Sequence, residues 1–336
     1  MTIKDIAKEC NVAVSTVSRV LNNHPDVSNS VREKVLSAVE RNGYVPNNSA
    51  RDLVKSSSNT IGVVVRGNSN LFFADVLKYI SDEIDKLGYD IALRYIGTND
   101  DEIKIGAMLE REKRLKGILF LGGRYSYTAT DISTLTVPFV CCSYTNSFGS
   151  LNKSDYSSVS IDDHETAYEA VKKLINSGHR KIAALVPSFS DSSISELRFT
   201  GYLDALKDNG IETDKNLCIE CGGYDMAEAY DGMAKLISSK AEFTAVFTIS
   251  DMMAISAIKA MDDWNIKVPR DCSVIAIDGL QISEYVEPTL TTMVQPAESM
   301  GKESVRILVS LIDGSGENEH VRPKAKLREG KSVKTI

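Results

Sequence analysis

The sequence is poor in the residues that carry catalysis. Its four histidines (positions 24, 164, 179 and 320) are scattered, and no Gly-x-Ser-x-Gly elbow, Walker loop or His-Glu-x-x-His is present. Six cysteines include a single C-x-x-C, Cys218 and Cys221, with no second pair or histidine at zinc-like spacing. On a strand those two side chains would face opposite sides, so they read as ordinary thiols, as do the adjacent Cys141 and Cys142. No metal, cofactor or catalytic residue is expected. Apolar runs never approach the ~20 residues that span a bilayer, which excludes a membrane partner of that kind. The first ten residues, MTIKDIAKEC, are interrupted by Asp5 and Glu9 and lack the apolar stretch of an export signal. A cytoplasmic protein with reduced thiols is the expectation.

What is present is ordinary for a globular chain: 43% apolar and 25% charged residues over 336 positions. At ~150 residues per domain that length predicts about two domains. The net charge of −7 argues superficially against a nucleic-acid partner. It is unevenly spread, however. Residues 1–58 hold eight Lys/Arg and six Asp/Glu, or +2, which leaves −7 − 2 = −9 for the remainder. A small basic module joined to an acidic body can meet a polyanion with one part and repel it with the other.

The first 45 residues read as three short helices. Thr2 can cap a helix over 3–9 with Ile3, Ile6 and Ala7 on one face. Asn11 tolerates the left-handed geometry of a tight turn. A second helix over 14–21 places Val17, Val20 and Leu21 inward and Ser15, Thr16, Ser18 and Arg19 outward. Ser28 or Ser30 caps a third helix that reaches about Asn42, with Val31, Val35, Leu36 and Val39 inward and Gly43 at its end. Two helices joined by a tight turn, the second exposing short hydroxyl side chains and one arginine, make a helix-turn-helix reader of the major groove. Small side chains let such a helix sit deep in the groove and reach phosphates and base edges. Residues 46–59, opening on proline and closing in Ser/Asn, read as a linker with a turn or two of latent helix, too short to be stable alone.

From Thr60 the period changes. Apolar runs at 61–65, 91–95, 117–121, 137–142, 182–186, 245–248 and 274–277 alternate with amphipathic helices such as 74–87, 165–177, 196–209, 227–238 and 252–265. That alternation predicts doubly wound parallel sheets, and a seam near 158–163 divides them into two lobes. In such sheets ligands bind beyond the carboxyl ends of the strands, so two lobes imply a site in the cleft between them. Asp278 ends the 274–277 strand, and with Arg198 it would supply a charged pair of anchors there.

These segments resemble the lactose-repressor (LacI/GalR) family along essentially the whole chain. The motifs DIAKECNVAVSTVSRVLNN, VREKVLSAVERNGYVPNNSARDL, NSGHRKIAALV, RFTGYLDAL, SDMMAISAIKAM and EPTLTTMVQP occur in the family's order and spacing. The resemblance implies an all-α headpiece over 1–46, a hinge helix and linker over 47–59, and a periplasmic-binding-protein-like core over 60–336. The core's N-lobe is expected at about 60–160 plus 291–318, its C-lobe at about 161–290 plus 319–336. It further implies a homodimer reading a pseudo-palindromic double-stranded operator, repressing transcription until a small effector, most simply a sugar, binds the cleft.

By position, Val14 and Ser15 match the residues that set operator preference, and Thr16, Ser18 and Arg19 match phosphate and base contacts, with Thr2 and Asn22 beside them. Asn48, Ala50, Arg51 and Leu53 match the hinge, where a leucine wedges into the minor groove. Phe73, Arg198, Tyr224, Ser250, Asp251 and Asp278 match effector positions. Two headpiece positions depart from the pattern: Asn11 replaces the turn glycine, and Ala13 stands where a capping serine is common. Ser250 departs where an asparagine is frequent. A corepressor that tightens DNA binding, a free-standing solute-binding protein and an α/β enzyme are the competing readings. The last two are disfavoured by the headpiece and by the missing catalytic groups. No leucine heptads close the chain, so a dimer is expected rather than a tetramer.

Overall fold

The computed structural model describes residues 2–21, 24–42, 58–67 and 70–336. Two compact units are present, 1–58 and 59–336. Asn22 and the hinge positions Asn48, Ala50, Arg51 and Leu53 lie outside the described residues.

The first unit is built from α1 (Ile3–Cys10), α2 (Val14–Leu21) and α3 (Asn29–Arg41). The carboxylate of Asp5 accepts from the Thr2 N–H at 2.8 Å and the Thr2 hydroxyl at 2.9 Å, closing the first turn of α1. Those bonds hold the Asp5 carboxyl below its usual range. Asn11 adopts φ 50°, the left-handed geometry expected of it, and α2 follows after two residues. Ile6, Ala7, Cys10, Val17, Val20, Val35 and Ala38 form the buried centre. Leu36 is not part of it: it is exposed, and Ala38 occupies the inward position, because the helical period carries Leu36 just past the packed face. Arg41 and Asn42 donate to Glu9 at 2.9 and 2.8 Å, tying the end of α3 back to α1.

The second unit holds two six-stranded sheets. The first has the order β11-β5-β4-β3-β1-β2 and the second β12-β10-β9-β8-β6-β7. In the first sheet β1 (Thr60–Arg66), β2 (Asp90–Ile96), β3 (Gly117–Leu121), β4 (Phe139–Cys142), β5 (Ser157–Val159) and β11 (His320–Val321) all pair parallel. In the second, β6 (Ile182–Val186), β7 (Cys218–Glu220), β8 (Ala245–Thr248), β9 (Ser273–Asp278) and β10 (Thr291–Val294) are parallel, and β12 (Lys326–Arg328) runs antiparallel to β10. The central strands GILFL, IAALV and AVFT are buried throughout, as strands covered by helices on both faces must be. In each sheet the order reverses beside the first strand, between β1 and β3 and between β6 and β8. Those are the crevices where an open α/β sheet receives a ligand.

The chain passes between the lobes at other points than expected. β10 belongs to the second sheet, although 291–318 was expected in the N-lobe, and β11 belongs to the first, although 319–336 was expected in the C-lobe. Between them, helix Ala297–Ile312 lies on helix Leu71–Lys86 of the first lobe. A Cβ on Gly301 would sit 2.9 Å from the Tyr79 Cβ and 3.1 Å from the Val76 carbonyl, so that position needs glycine for the helices to touch. The sequence hides β10 because two of its four residues are threonines, whose hydroxyls are satisfied by partners 39 and 41 residues away. Thr291 accepts from the Gly330 N–H at 3.0 Å, and Thr292 donates to Asp251 at 2.5 Å.

Candidate functional site

In the headpiece, α2 presents the face expected of a groove reader. Val17 and Val20 are buried, whereas Val14 is 40% exposed, Ser15 and Arg19 are exposed, and Thr16 and Ser18 are half-buried. An exposed β-branched apolar residue at the first position of a helix has no packing role there, but it suits contact with a thymine methyl. Ala13 lends only its carbonyl to the first turn, accepting from Thr16 and Val17 at 2.9 and 3.2 Å. Its methyl group cannot cap the helix as serine would. Thr2 is exposed, and its hydroxyl is engaged by Asp5.

In the core, the candidate residues of the second lobe converge at the carboxyl ends of its strands. Arg198, in helix Ile194–Asp208, is 2% exposed. Its Nε and Nη2 reach Asp163 Oδ1 at 3.0 and 2.9 Å, its Nη1 donates to the carbonyl of Ile249 just past β8, and Asp278 Oδ1 lies 3.7 Å from Nη1. The pair expected from sequence is therefore a triad. Asp163 makes the closer contacts and Asp278 the longer one. Burial pushes the Asp163 carboxyl above its ordinary value, against the pull of Arg198. Asp278 is raised to about 7, again by burial, with Arg198 opposing and the nearby Asp251 reinforcing the rise. Gln295 donates to its Oδ1 at 2.8 Å. Asp278 sits at φ 136°, a conformation non-glycine residues avoid, and such strain persists where surrounding structure holds a side chain for a purpose.

Tyr224 is 45% exposed, with its hydroxyl 3.3 Å from that of Ser193. Ser250 caps helix Asp251–Asp263, accepting from the Met253 N–H at 3.3 Å. Asp251 needs a correction. It is fully buried, and its two oxygens accept from the Leu280 N–H at 2.7 Å and from Thr292, so both are spent on anchoring the turn after β9. Converting Asp251 to Ala strands both buried donors and is expected to destabilise the core by about 3 kcal/mol in chemical denaturation. Asp251→Asn, which keeps one acceptor, is expected to lose about half as much.

In the first lobe, Phe73 lies against the switch point. A Cβ on Gly122, which follows β3 at φ 72°, would fall 2.6 Å from its ring. Around it are residues that sequence reasoning missed. Tyr125, Tyr127 and Tyr144 pack ring to ring, with centroids 5.9 and 6.2 Å apart, in a core cluster that Ile194 and Leu197 of the second lobe also pack against. All three rings are buried, 4, 2 and 1% exposed, in the core of the first lobe. Arg66, the last residue of β1, pairs with the buried Glu102 and donates to the Asp100 carbonyl at 2.8 Å. The available signal was positional: each of these groups stands at or within a few residues of the carboxyl end of an apolar run.

Among the described residues no helix is long and apolar enough to cross a membrane. Comparison with known proteins supplies the family. Residues 2–47 match the model of bacterial regulatory proteins of the lacI family, and residues 171–333 match a periplasmic binding protein-like domain. The HTH-type transcriptional regulator MalR of Clostridium butyricum is 42% identical over 96% of both chains. The chain belongs to the lacI family. The catabolite control protein A of Priestia megaterium is 33% identical over 93% of both chains. Among solved structures, a complex of the transcriptional regulator CelR with cellobiose superposes with a TM-score of 0.73 at 26% identity, covering 99% of each chain. A lacI-family chain with this headpiece is a DNA-binding transcriptional regulator, and its core is not that of an enzyme.

Proposed function

We propose that this lacI-family regulator is a cytoplasmic repressor that binds a pseudo-palindromic operator as a homodimer and releases it when a small sugar enters the cleft between its core lobes. The observation that carries the reading is the buried triad of Arg198, Asp163 and Asp278 at the carboxyl ends of the second sheet's strands, with the exposed Tyr224 beside it and Phe73 at the switch point of the first sheet. Aromatic faces stack on sugar rings, while a guanidinium and carboxylates exchange hydrogen bonds with hydroxyls. The cellobiose bound by CelR supports the ligand class. The ligand need only prefer one lobe arrangement over another to alter DNA affinity.

On DNA, Val14 and Ser15 select the base pairs, Thr16, Ser18 and Arg19 hold the helix in the groove with Thr2 and Asn22 at its flanks, and the segment with Asn48, Ala50, Arg51 and Leu53 enters the minor groove. Phe73, Tyr224 and Ser250 join Arg198 and Asp278 around the sugar. Substituting Val14 or Ser15 is expected to change which inverted repeat is preferred, whereas Arg19→Ala weakens all sites alike. Competition binding on a randomised inverted-repeat library checks this, and uniform loss from all three variants defeats the division of labour. Repeating the selected binding with sugars decides the sign of the switch. Release supports an inducer, and tightening replaces it with a corepressor.

A further inference from the structure

We infer that the cleft selects uncharged sugars and rejects their phosphate esters. This rests on the sugar-binding reading above and adds the charge of the ligand. A phosphate needs uncompensated cations or a cluster of free N–H donors. The arginines at the strand ends already face carboxylates. Arg66 pairs with buried Glu102, Arg124 has Asp101 at 3.7 Å and stands over the Tyr127 ring, and Arg198 pairs with buried Asp163. Asp278 is then left over, 3.7 Å from a guanidinium that is already matched. Asp191, its Oδ1 held by the N–H and hydroxyl of Ser193 at 3.1 and 2.5 Å, is linked through that serine to Tyr224, whose hydroxyl is 3.3 Å from that of Ser193, and adds a further negative charge.

The chain around the cleft has the same balance. The stretches joining the carboxyl ends of β1 through β10 to the next element contain only Arg124 and Lys153 as cations, against aspartates at 100, 101, 155, 162, 191 and 225. After β11 come Lys324 and Arg322, the latter paired with Asp162 at 3.2 Å. The stretch after β1, Gly-Asn-Ser-Asn, carries no charge at all in its sequence. A dianionic ester would thus enter a neutral-to-negative, partly desolvated site, where repulsion is weakly screened. Hydroxyls meet what they need there: Asp278 as acceptor, Arg198 as donor, and the faces of Phe73 and Tyr224 for the ring.

The test is calorimetric titration of the full chain with cellobiose, maltose and glucose beside maltose 6′-phosphate, glucose 6-phosphate and inorganic phosphate. At least one neutral sugar is expected to bind, its ester about tenfold or more weakly, and phosphate not to displace it. Asp191→Asn is expected to narrow the gap between sugar and ester. An ester that binds as tightly as its parent, displacement by phosphate, or a gap unmoved by Asp191→Asn overturns the charge argument while leaving the sugar site standing. If no compound of either series binds, the sugar reading itself fails and takes this inference with it.

Discussion

Arg198→Ala is expected to abolish the sugar response and to lower the stability of the core by about 3–5 kcal/mol, as removal of one partner from a buried ion pair does. The two effects share one cause. The guanidinium is 2% exposed and holds Asp163 by one hydrogen bond and a 2.9 Å ion-pair contact, the Ile249 carbonyl by a second hydrogen bond, and Asp278 at longer range. Deleting it leaves Asp163 buried without its cation and removes the donor nearest Asp278. The headpiece folds around its own core of Ile6, Val17, Val20 and Val35, so operator binding without sugar is expected to persist at temperatures where the core remains folded. Urea denaturation followed by operator retention with and without sugar measures both. Adding Asp163→Asn to Arg198→Ala is expected to restore part of the stability and none of the response. A response of wild-type size in either variant would remove Arg198 from the ligand site and leave it a purely structural ion pair.

The legibility of the chain followed burial. The nearly all-apolar central strands at 61–65, 117–121, 182–186 and 245–248 announced themselves, because a strand covered on both faces has almost no polar positions to disguise it. Strands β5, β7, β10 and β11 have two to four residues each and include serine, threonine, glutamate and histidine, so no periodicity could reveal them. The lobe boundaries were misplaced for that reason. Arg198 and Asp278, paired from the sequence, do lie together, 3.7 Å apart, but Asp163 was not foreseen. Its partner is 35 residues away, and nothing local distinguishes it from Asp162, which caps the helix through an acceptor 3.1 Å from the Glu165 N–H. Asp251 misled in the opposite way. Its match to a family effector position suggests a ligand contact, yet here two buried donors claim it.

Asp278 predicts how the switch responds to pH. Burial raises its carboxyl to about 7, so near neutrality it is partly protonated. The effects on folding and on binding oppose each other. For folding, a carboxyl raised from 3.8 binds a proton more tightly in the folded state; the stability this contributes is full below pH 4 and lost as pH rises through 7. For binding, the ionised form is the better acceptor of a sugar hydroxyl, so affinity is expected to climb from pH 6 to 8, by up to about tenfold per unit below 7, and to flatten above it. Asp278→Asn removes the titration. Its affinity is expected to be low and level across that range, and its core stability to lose the decline near pH 7. Calorimetry at half-unit steps reads the first effect and urea midpoints the second. If Asp278→Asn keeps the rise in affinity between pH 6 and 8, another group governs it and Asp278 does not hold the sugar.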